Sequence, residues 1–284
     1  MMAGLDVFYC RSLLKLPCHH KVAYFISKGE IFMLMITGQK LKIVQDIFAE
    51  YNNNIPIFQS VLDGNYEGTA FVDNDTAPSW AVLQLPICFH FVAGKLIEKE
   101  TLEDILFNHI LPKQDEKQLI VFSPSNEWQP LLESIFLPHK GFVVPRMMFK
   151  FSHEKYQEAI DRQSTMPNNA KIVVAKERIE GDFCKNDEWA SRLFVNGKCV
   201  STCSAPMTGG GYTEIGIETH PDYQVRGYAT LAALALIQKL LENSLIPCLS
   251  AWPYREASQS LAKKVGFIPE PDVNAWLWDE NECD

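Results

Sequence analysis

Residues 212–242, "YTEIGIETHPDYQVRGYATLAALALIQKLLE", change their hydrophobic period within a few positions. Up to Thr219 apolar and polar residues alternate, as in a strand with one covered face. From Tyr228 onward apolar residues crowd together at helical spacing, as on a buried helix. Between the two runs lies "HPDYQVRG", whose Pro, Asp and Gly are turn residues. The chain must therefore leave a sheet at about His220 and begin a helix at Tyr228, and that helix must cover the sheet.

The lead-in to this helix, Gln224-Val225-Arg226-Gly227-Tyr228-Ala229-Thr230, is not a plain cap. A helix N-terminus carries four unpaired N–H groups and a partial positive charge, which suits a pyrophosphate. Gly227 and Ala229 are small enough to let an anion reach the backbone, and Arg226 adds a full charge. The plainer alternative is that Gly227 breaks the strand and Ala229 packs.

The rest of the C-terminal half is organised around that unit. "KIVVAKERI" (171–179) reads as a strand, and Asn196-Gly197 separates two extended runs in "SRLFVNGKCVSTCSA" (191–205), the strongest hairpin signal in the chain. Gly209-Gly210-Gly211 is not followed by the Lys-Ser/Thr of a phosphate loop and leads into a strand, so it is expected to connect a hairpin. "PCLSAW" (247–252) reads as a strand, "EASQSLAKKVGF" (256–267) as a helix closed by Gly266, and "DVNAWLWD" (272–279) as a last strand.

Further upstream, "VAYFI" (22–26), "IFMLMI" (31–36), "TAFVD" (69–73), "WAVLQL" (80–85), "ICFHFV" (87–92) and "QLIVFS" (118–123) read as strands. Residues 40–50, 95–110 and 127–137 carry helical spacing. The whole is an α/β chain, an α+β arrangement on a mixed sheet, with an N-terminal domain over 1–145 and a second over 146–284.

The formal net charge of −9 provides no basic footprint for a phosphate backbone, so nucleic acid is not an expected partner. The apolar N-terminus is broken by Arg11, Lys15, His19, Lys21, Lys28 and Glu30, which leaves neither a signal-peptide core nor a membrane span, and a cytoplasmic protein is expected. The eight cysteines, at 10, 18, 88, 184, 199, 203, 248 and 283, form no Cys-x-x-Cys pair and are expected to be small buried hydrophobes. Cys199 and Cys203 fall on one face of a regular strand but lack further ligands, and His19-His20 lies far off in sequence, so no metal site is expected. Nothing in the sequence sets an oligomeric state.

Two stretches together are specific. "HPDYQVRGYAT" (220–230) matches the P-x-x-[RQ]-x-x-G-x-[GA] motif, and "SQSLAKKVGF" (258–267) matches the second motif, of the GNAT N-acetyltransferases, which this chain therefore resembles. Within that superfamily it is most similar to the zwittermicin A resistance type, over roughly residues 60–280, through "FVDND", "FHFVAG", "EIGIETHPDY" and "GYAT". The resemblance implies a C-terminal GNAT fold whose central strands, 212–219 and 247–252, splay apart around acetyl-CoA, the acyl-donating cosubstrate. It implies that backbone groups at Ile217 and Thr219 pair with the pantetheine and that the N–H groups of Gln224, Val225, Arg226, Gly227, Tyr228, Ala229 and Thr230 hold the pyrophosphate. Ser258 opens the second motif and joins the cofactor set.

Acetyl transfer needs a free amine. A lysine-like ammonium titrates near 10.4, so at pH 7 the nucleophilic form lies about 4.6 kcal/mol uphill, and a general base recovers part of that. Glu214 and Glu218 are the candidates, on one face of an alternating strand, where partial burial raises a carboxyl toward a useful range. The resemblance favours Glu214; the plainer alternative is that both are solvated or paired. Departures from the family pattern lie nearby: Ala262 stands where many members have the tyrosine that protonates the departing thiolate, and Arg255 where an asparagine is common. Tyr254 and Tyr228 are possible stand-ins or packing residues, and Trp252 and Tyr254 either line the acceptor pocket or belong to the core. The resulting expectation is an acetyl-CoA-dependent N-acetyltransferase acting on a primary amine of a small molecule. The alternatives are a non-catalytic CoA-binding module with a protein partner and a ligand-free interaction protein.

Overall fold

The structure is a computed structural model that describes residues 23–27, 30–114, 117–178 and 184–282, with the side chains of residues 23–32 and Glu282 left aside. Cys10, Cys18, Cys283, His19 and His20, and the expected leaderless N-terminus, lie outside the described residues. The strands of the first half are β1 (Ala23–Ser27), β2 (Glu30–Thr37), β3 (Thr69–Val72), β4 (Trp80–Gln84), β5 (Phe89–Gly94) and β6 (Gln118–Phe122). They are followed by β7 (Phe142–Phe151), β8 (Ala170–Glu177), β9 (Glu188–Val195), β10 (Lys198–Ser204), β11 (Thr208–Gly209) and β12 (Tyr212–Glu214). The last four are β13 (Gly216–Thr219), β14 (Ile246–Ala251), β15 (Phe267–Pro269) and β16 (Val273–Asp279). The α-helices are α1 (Ile55–Leu62), α2 (Lys99–Asp104), α3 (Gln129–Phe136), α4 (His153–Asp161), α5 (Tyr228–Glu242) and α6 (Glu256–Lys264).

Among the described residues these strands make two sheets: a twelve-stranded sheet ordered β1-β2-β3-β4-β5-β6-β16-β7-β14-β12-β11, with β15 also on β7, and a four-stranded sheet ordered β13-β10-β9-β8. The large sheet is mixed: β5–β6 and β12–β14 run parallel, and its other pairs are antiparallel. In the first half both faces are covered, because alternate residues serve different cores. Leu83, Phe91 and Phe122 pack under α1, while Val82, Val92 and Val121 pack with α2 and α3 residues such as Leu102 and Leu132. Each such side chain contributes about 1.5–3 kcal/mol on burial. A third core gathers Leu234, Leu236 and Ile237 of α5 with Leu193, Cys203, Leu249 and Phe267, so α5 fills the space between the two sheets.

The C-terminal strand β16 lies between β6 and β7, so one hydrogen-bonded ladder crosses from the first half to the second. Residue 145, the boundary expected between the two domains, falls inside β7. The Asn196-Gly197 hairpin forms with both residues at positive φ (50° and 82°), as its turn type requires. Gly210 and Gly211, at φ 62° and 81°, turn a second hairpin between β11 and β12. Gly209 is a close-approach glycine: a Cβ there would meet the Ser60 nitrogen of α1 at 2.2 Å.

Three expectations are corrected. Residues 40–50 form 3₁₀ turns (Gly38–Val44 and Ile47–Glu50) instead of an α-helix. Cys199 and Cys203 do not share a face, because the register of β10 slips between Cys199 and Ser201, leaving Cys203 in the core and Cys199 half-buried near Thr202. The expected single strand 212–219 is broken at Ile215, so β12 belongs to the large sheet and β13 to the small one. Among the described residues no helix is long and apolar enough to cross a membrane.

Candidate active site

The break at Ile215 creates the site. β12 runs parallel to β14 as far as the pair Glu214–Cys248, and the Ile215 N–H donates to the Cys248 carbonyl at 2.9 Å. Beyond that bond the two strands part: β13 pairs with β10, while Leu249, Ser250 and Ala251 of β14 pair with β7. The expected splay of 212–219 from 247–252 is therefore present, and the strand break at Ile215 marks where it begins.

Parting leaves one edge of β13 open. The His220 N–H donates to the Val200 carbonyl of the neighbouring chain segment, and backbone groups alternate sides along an antiparallel strand, so those of Ile217 and Thr219 face the open edge. The Thr219 carbonyl there accepts a bond of 3.2 Å from the Gln224 side chain. That edge leads directly to the start of α5. Gly227 precedes the helix at φ 80° in the left-handed region, and no side chain caps the first turn. The position of a Gly227 Cβ would have nothing within 4 Å, so this glycine serves the backbone turn and leaves open space above it. Val225 is also left-handed, at φ 58°, a conformation a β-branched residue rarely adopts, and its side chain is fully exposed. Two left-handed residues this close together shape the turn that enters α5. Arg226 lies at the same turn, its guanidinium 5.3 Å from the Tyr223 ring centroid. Tyr228, Ala229 and Thr230 are half-buried in the first turn of the helix. These features fit a phosphate-bearing chain molecule that pairs with the β13 edge and ends on the α5 N-terminus.

The two glutamates separate. Glu218 is exposed on β13, opposite Thr202, and the break at Ile215 removes it from any face shared with Glu214. Glu214 is half-buried at the point of parting, where its Oε1 accepts from the Ser250 backbone N–H at 3.0 Å and the Ser250 hydroxyl at 2.6 Å. It thus occupies the first N–H of β14 that the lost partner strand leaves free, while Oε2 accepts no hydrogen bond among the described residues. Burial raises the Glu214 carboxyl above the ordinary glutamate range, and the Arg146 charge and the Ser250 bonds only partly offset this.

Arg146, on β7, was not legible as a site residue. It is 6% exposed; its Nε donates to the Ser250 hydroxyl at 3.1 Å, and its guanidinium stacks 4.5 Å from the Trp252 ring and 4.9 Å from the Phe89 ring. The alternating run "FVVPRMMFKF" gives no sign of a buried cation. Trp252 is buried against Phe89, so the first half of the chain contributes a wall beside Glu214. Tyr254 is exposed next to it, with its hydroxyl pushed up by burial of its surroundings. Ala262 is wholly buried, so no acid can act from the tyrosine position. Ser258 is half-buried in the first turn of α6.

A strand pair forced apart beside an uncapped helix start, with a perturbed carboxylate at the fork, is an arrangement that can hold an extended, phosphate-bearing molecule against a titratable group. Comparison with known proteins specifies the kind of protein. The model of the family described as GNAT acetyltransferase matches residues 45–275, and the chain belongs to that family. An uncharacterized N-acetyltransferase of Bacillus subtilis strain 168, YdfB, is 22% identical over 254 residues, which is 82% of this chain and 93% of the relative. In fold, the chain is similar to a GCN5-related N-acetyltransferase-like protein from Streptococcus suis 89/1591 (TM-score 0.62, 19% identity, covering 85% of this chain and 100% of that one). It is also similar to a tandem GNAT protein from the clavulanic acid biosynthesis pathway (TM-score 0.57, 9% identity, covering 87% and 98%).

Proposed function

We propose that this N-acetyltransferase moves the acetyl group of acetyl-CoA to a primary amine of a small molecule, by direct attack of the amine within a ternary complex. The observation that carries the reading is Glu214: a carboxylate with a raised pKa, held by Ser250 at the fork of the two strands, with one oxygen left for a proton. In this reading Ile217 and Thr219 pair with the pantetheine through the open edge of β13, and the N–H groups from Gln224 to Thr230 hold the pyrophosphate with Arg226 beside them. Ser258, in the first turn of α6, closes the cofactor side. Glu214 takes the proton of the bound ammonium, through a water where it does not reach directly. Glu218, exposed on β13, serves at most as a second acceptor of that proton. Acetyl-CoA supplies an activated acyl group whose thiolate, with an ordinary thiol pKa of about 8.5, departs without strong acid help; Tyr254 and Tyr228 are the candidate donors.

The likeness of the sequence to the zwittermicin A resistance type supports a small-molecule acceptor. Release of CoA thiol, followed across a panel of amines, antibiotics and polyamines, tests the reading. Turnover of at least one amine is expected, with Glu214→Gln lowering kcat about 10²- to 10⁴-fold. Full activity of that variant removes Glu214 as the base, and acetyl-CoA binding without any turnover returns the chain to a non-catalytic CoA-binding module.

A further inference from the structure

Arg146 is a buried cation whose hydrogen-bonding capacity is mostly unspent. Arginine has five N–H donors. The Nε–H is used on Ser250, a neutral hydroxyl, while Nη1 is buried with no partner. No carboxylate lies within 4.0 Å of it among the described residues; Glu214 acts on it only at longer range, and its own Oε1 is committed to Ser250. Two aromatic rings, Phe89 and Trp252, pack against the guanidinium without neutralising it. An uncompensated charge in such surroundings is costly, and cores do not retain one for packing alone.

The position says what would compensate it. The open edge of β13 and the start of α5 lie on one side of the fork; Arg146 lies on the other, across Ser250 on β7. Two hydrogen bonds, 3.1 Å from Arg146 to the Ser250 hydroxyl and 2.6 Å from that hydroxyl to Glu214, link the cation to the base. We propose that Arg146 anchors a carboxylate of the acceptor, so that the amine acetylated at Glu214 belongs to a molecule carrying an acid a few bonds away, an amino acid or a short peptide-like acid. A planar carboxylate suits the fork of a guanidinium, here held against two rings. The short relay to Glu214 requires amine and acid to be close neighbours in one molecule, as they are in an α-amino acid.

This inference rests on the acetyltransferase reading above, and the test separates the two. The intact protein is assayed for CoA release with the common free amino acids and with the same compounds as carboxamides, at saturating acetyl-CoA, alongside a calorimetric titration of acetyl-CoA alone. Acids are expected to exceed their amides by about tenfold to a hundredfold in kcat/KM, the scale of a charge-assisted bond in a dry site. Arg146→Met is expected to abolish that preference by raising KM for the acids more than for the amides, while kcat falls alike for both because the Glu214 carboxyl is pushed further up, and Arg146→Lys to restore part of it. Arg146→Met is also expected to melt at or above the wild-type temperature, since an unpaired buried charge has been removed; a large loss of Tm in both variants would mark Arg146 as a packing residue and overturn the anchor. Amides used as well as acids, a preference that survives Arg146→Met, or no acid turned over at all would each overturn it too. Absence of acetyl-CoA binding defeats instead the reading on which it stands.

Discussion

His90 lies inside the sheet of the first half, 0% exposed, and among the described residues neither ring nitrogen has a hydrogen-bond partner. Burial alone holds its imidazole down at about 3. In the unfolded chain the same group titrates near 6.5, so between those values the unfolded state binds a proton that the native state refuses. Stability contributed by neutral His90 is therefore complete above about pH 6.5 and declines as pH falls toward 3. His90→Leu is expected to flatten this acid limb, read as Tm from pH 7.5 to 5; parallel curves for the two proteins would contradict it. Glu214 has the opposite sign, because its raised carboxyl binds a proton in the native state at pH values where the unfolded chain has lost it. As a base it works only when ionised, so kcat/KM is expected to rise with pH through an ionisation above the ordinary glutamate range. A profile that Glu214→Gln leaves unchanged would exclude the assignment. Glu214 was legible in the sequence because it sits four residues before Glu218 in a strand that leads to a recognisable turn. Its inequality with Glu218 was not, since the strand break at Ile215 interrupts no residue pattern. Arg146 was hidden for a related reason: in an alternating strand a cation reads as outward-facing, and only the arrival of Phe89 and Trp252 from distant segments buries it.

At the scale of elements, the turn before α5 is the feature the sequence stated most clearly. Gly227 and Asn196-Gly197 announce positive φ by residue type, and both positions have it. Val225 announces nothing, yet it too is left-handed at φ 58°, with a cost of about 1–2 kcal/mol for a residue of its kind. Strain of this sort accumulates where a loop is shaped for a ligand. Val225→Asn, which tolerates that conformation better, is expected to raise Tm in the absence of ligand; a fall would show that the loop does not hold this conformation in solution. The short helix α1 escaped notice because eight residues, "IPIFQSVL", give barely two turns of pattern. The 3₁₀ turns at 38–50 carry helical spacing without forming an α-helix, since their apolar residues meet the core in short separate pieces.

For the whole molecule, the two halves expected from the order of elements share one ladder. β16 bridges β6 and β7, and the seam is fastened again where Asp63 accepts from the Gly210 N–H at 2.8 Å and Tyr66 accepts from the Met207 N–H at 3.0 Å. Thermal unfolding is accordingly expected as one cooperative transition, with near- and far-ultraviolet dichroism changing together; two separated transitions would instead support independent units meeting near residue 145. Strand order of this kind cannot be read from local pattern, because β16 returns from the C-terminus to pair with strands more than a hundred residues earlier. The fork it helps support is where cosubstrate, base and acceptor have to meet. Calorimetric titration of acetyl-CoA into the wild-type protein and into Gly227→Val tests this most directly. Saturable one-site binding is expected for the wild type, weakened at least about tenfold by a side chain that cannot hold φ 80° at the helix start. No measurable binding to the wild type, or equal affinity for both proteins, would contradict a CoA site on the α5 N-terminus.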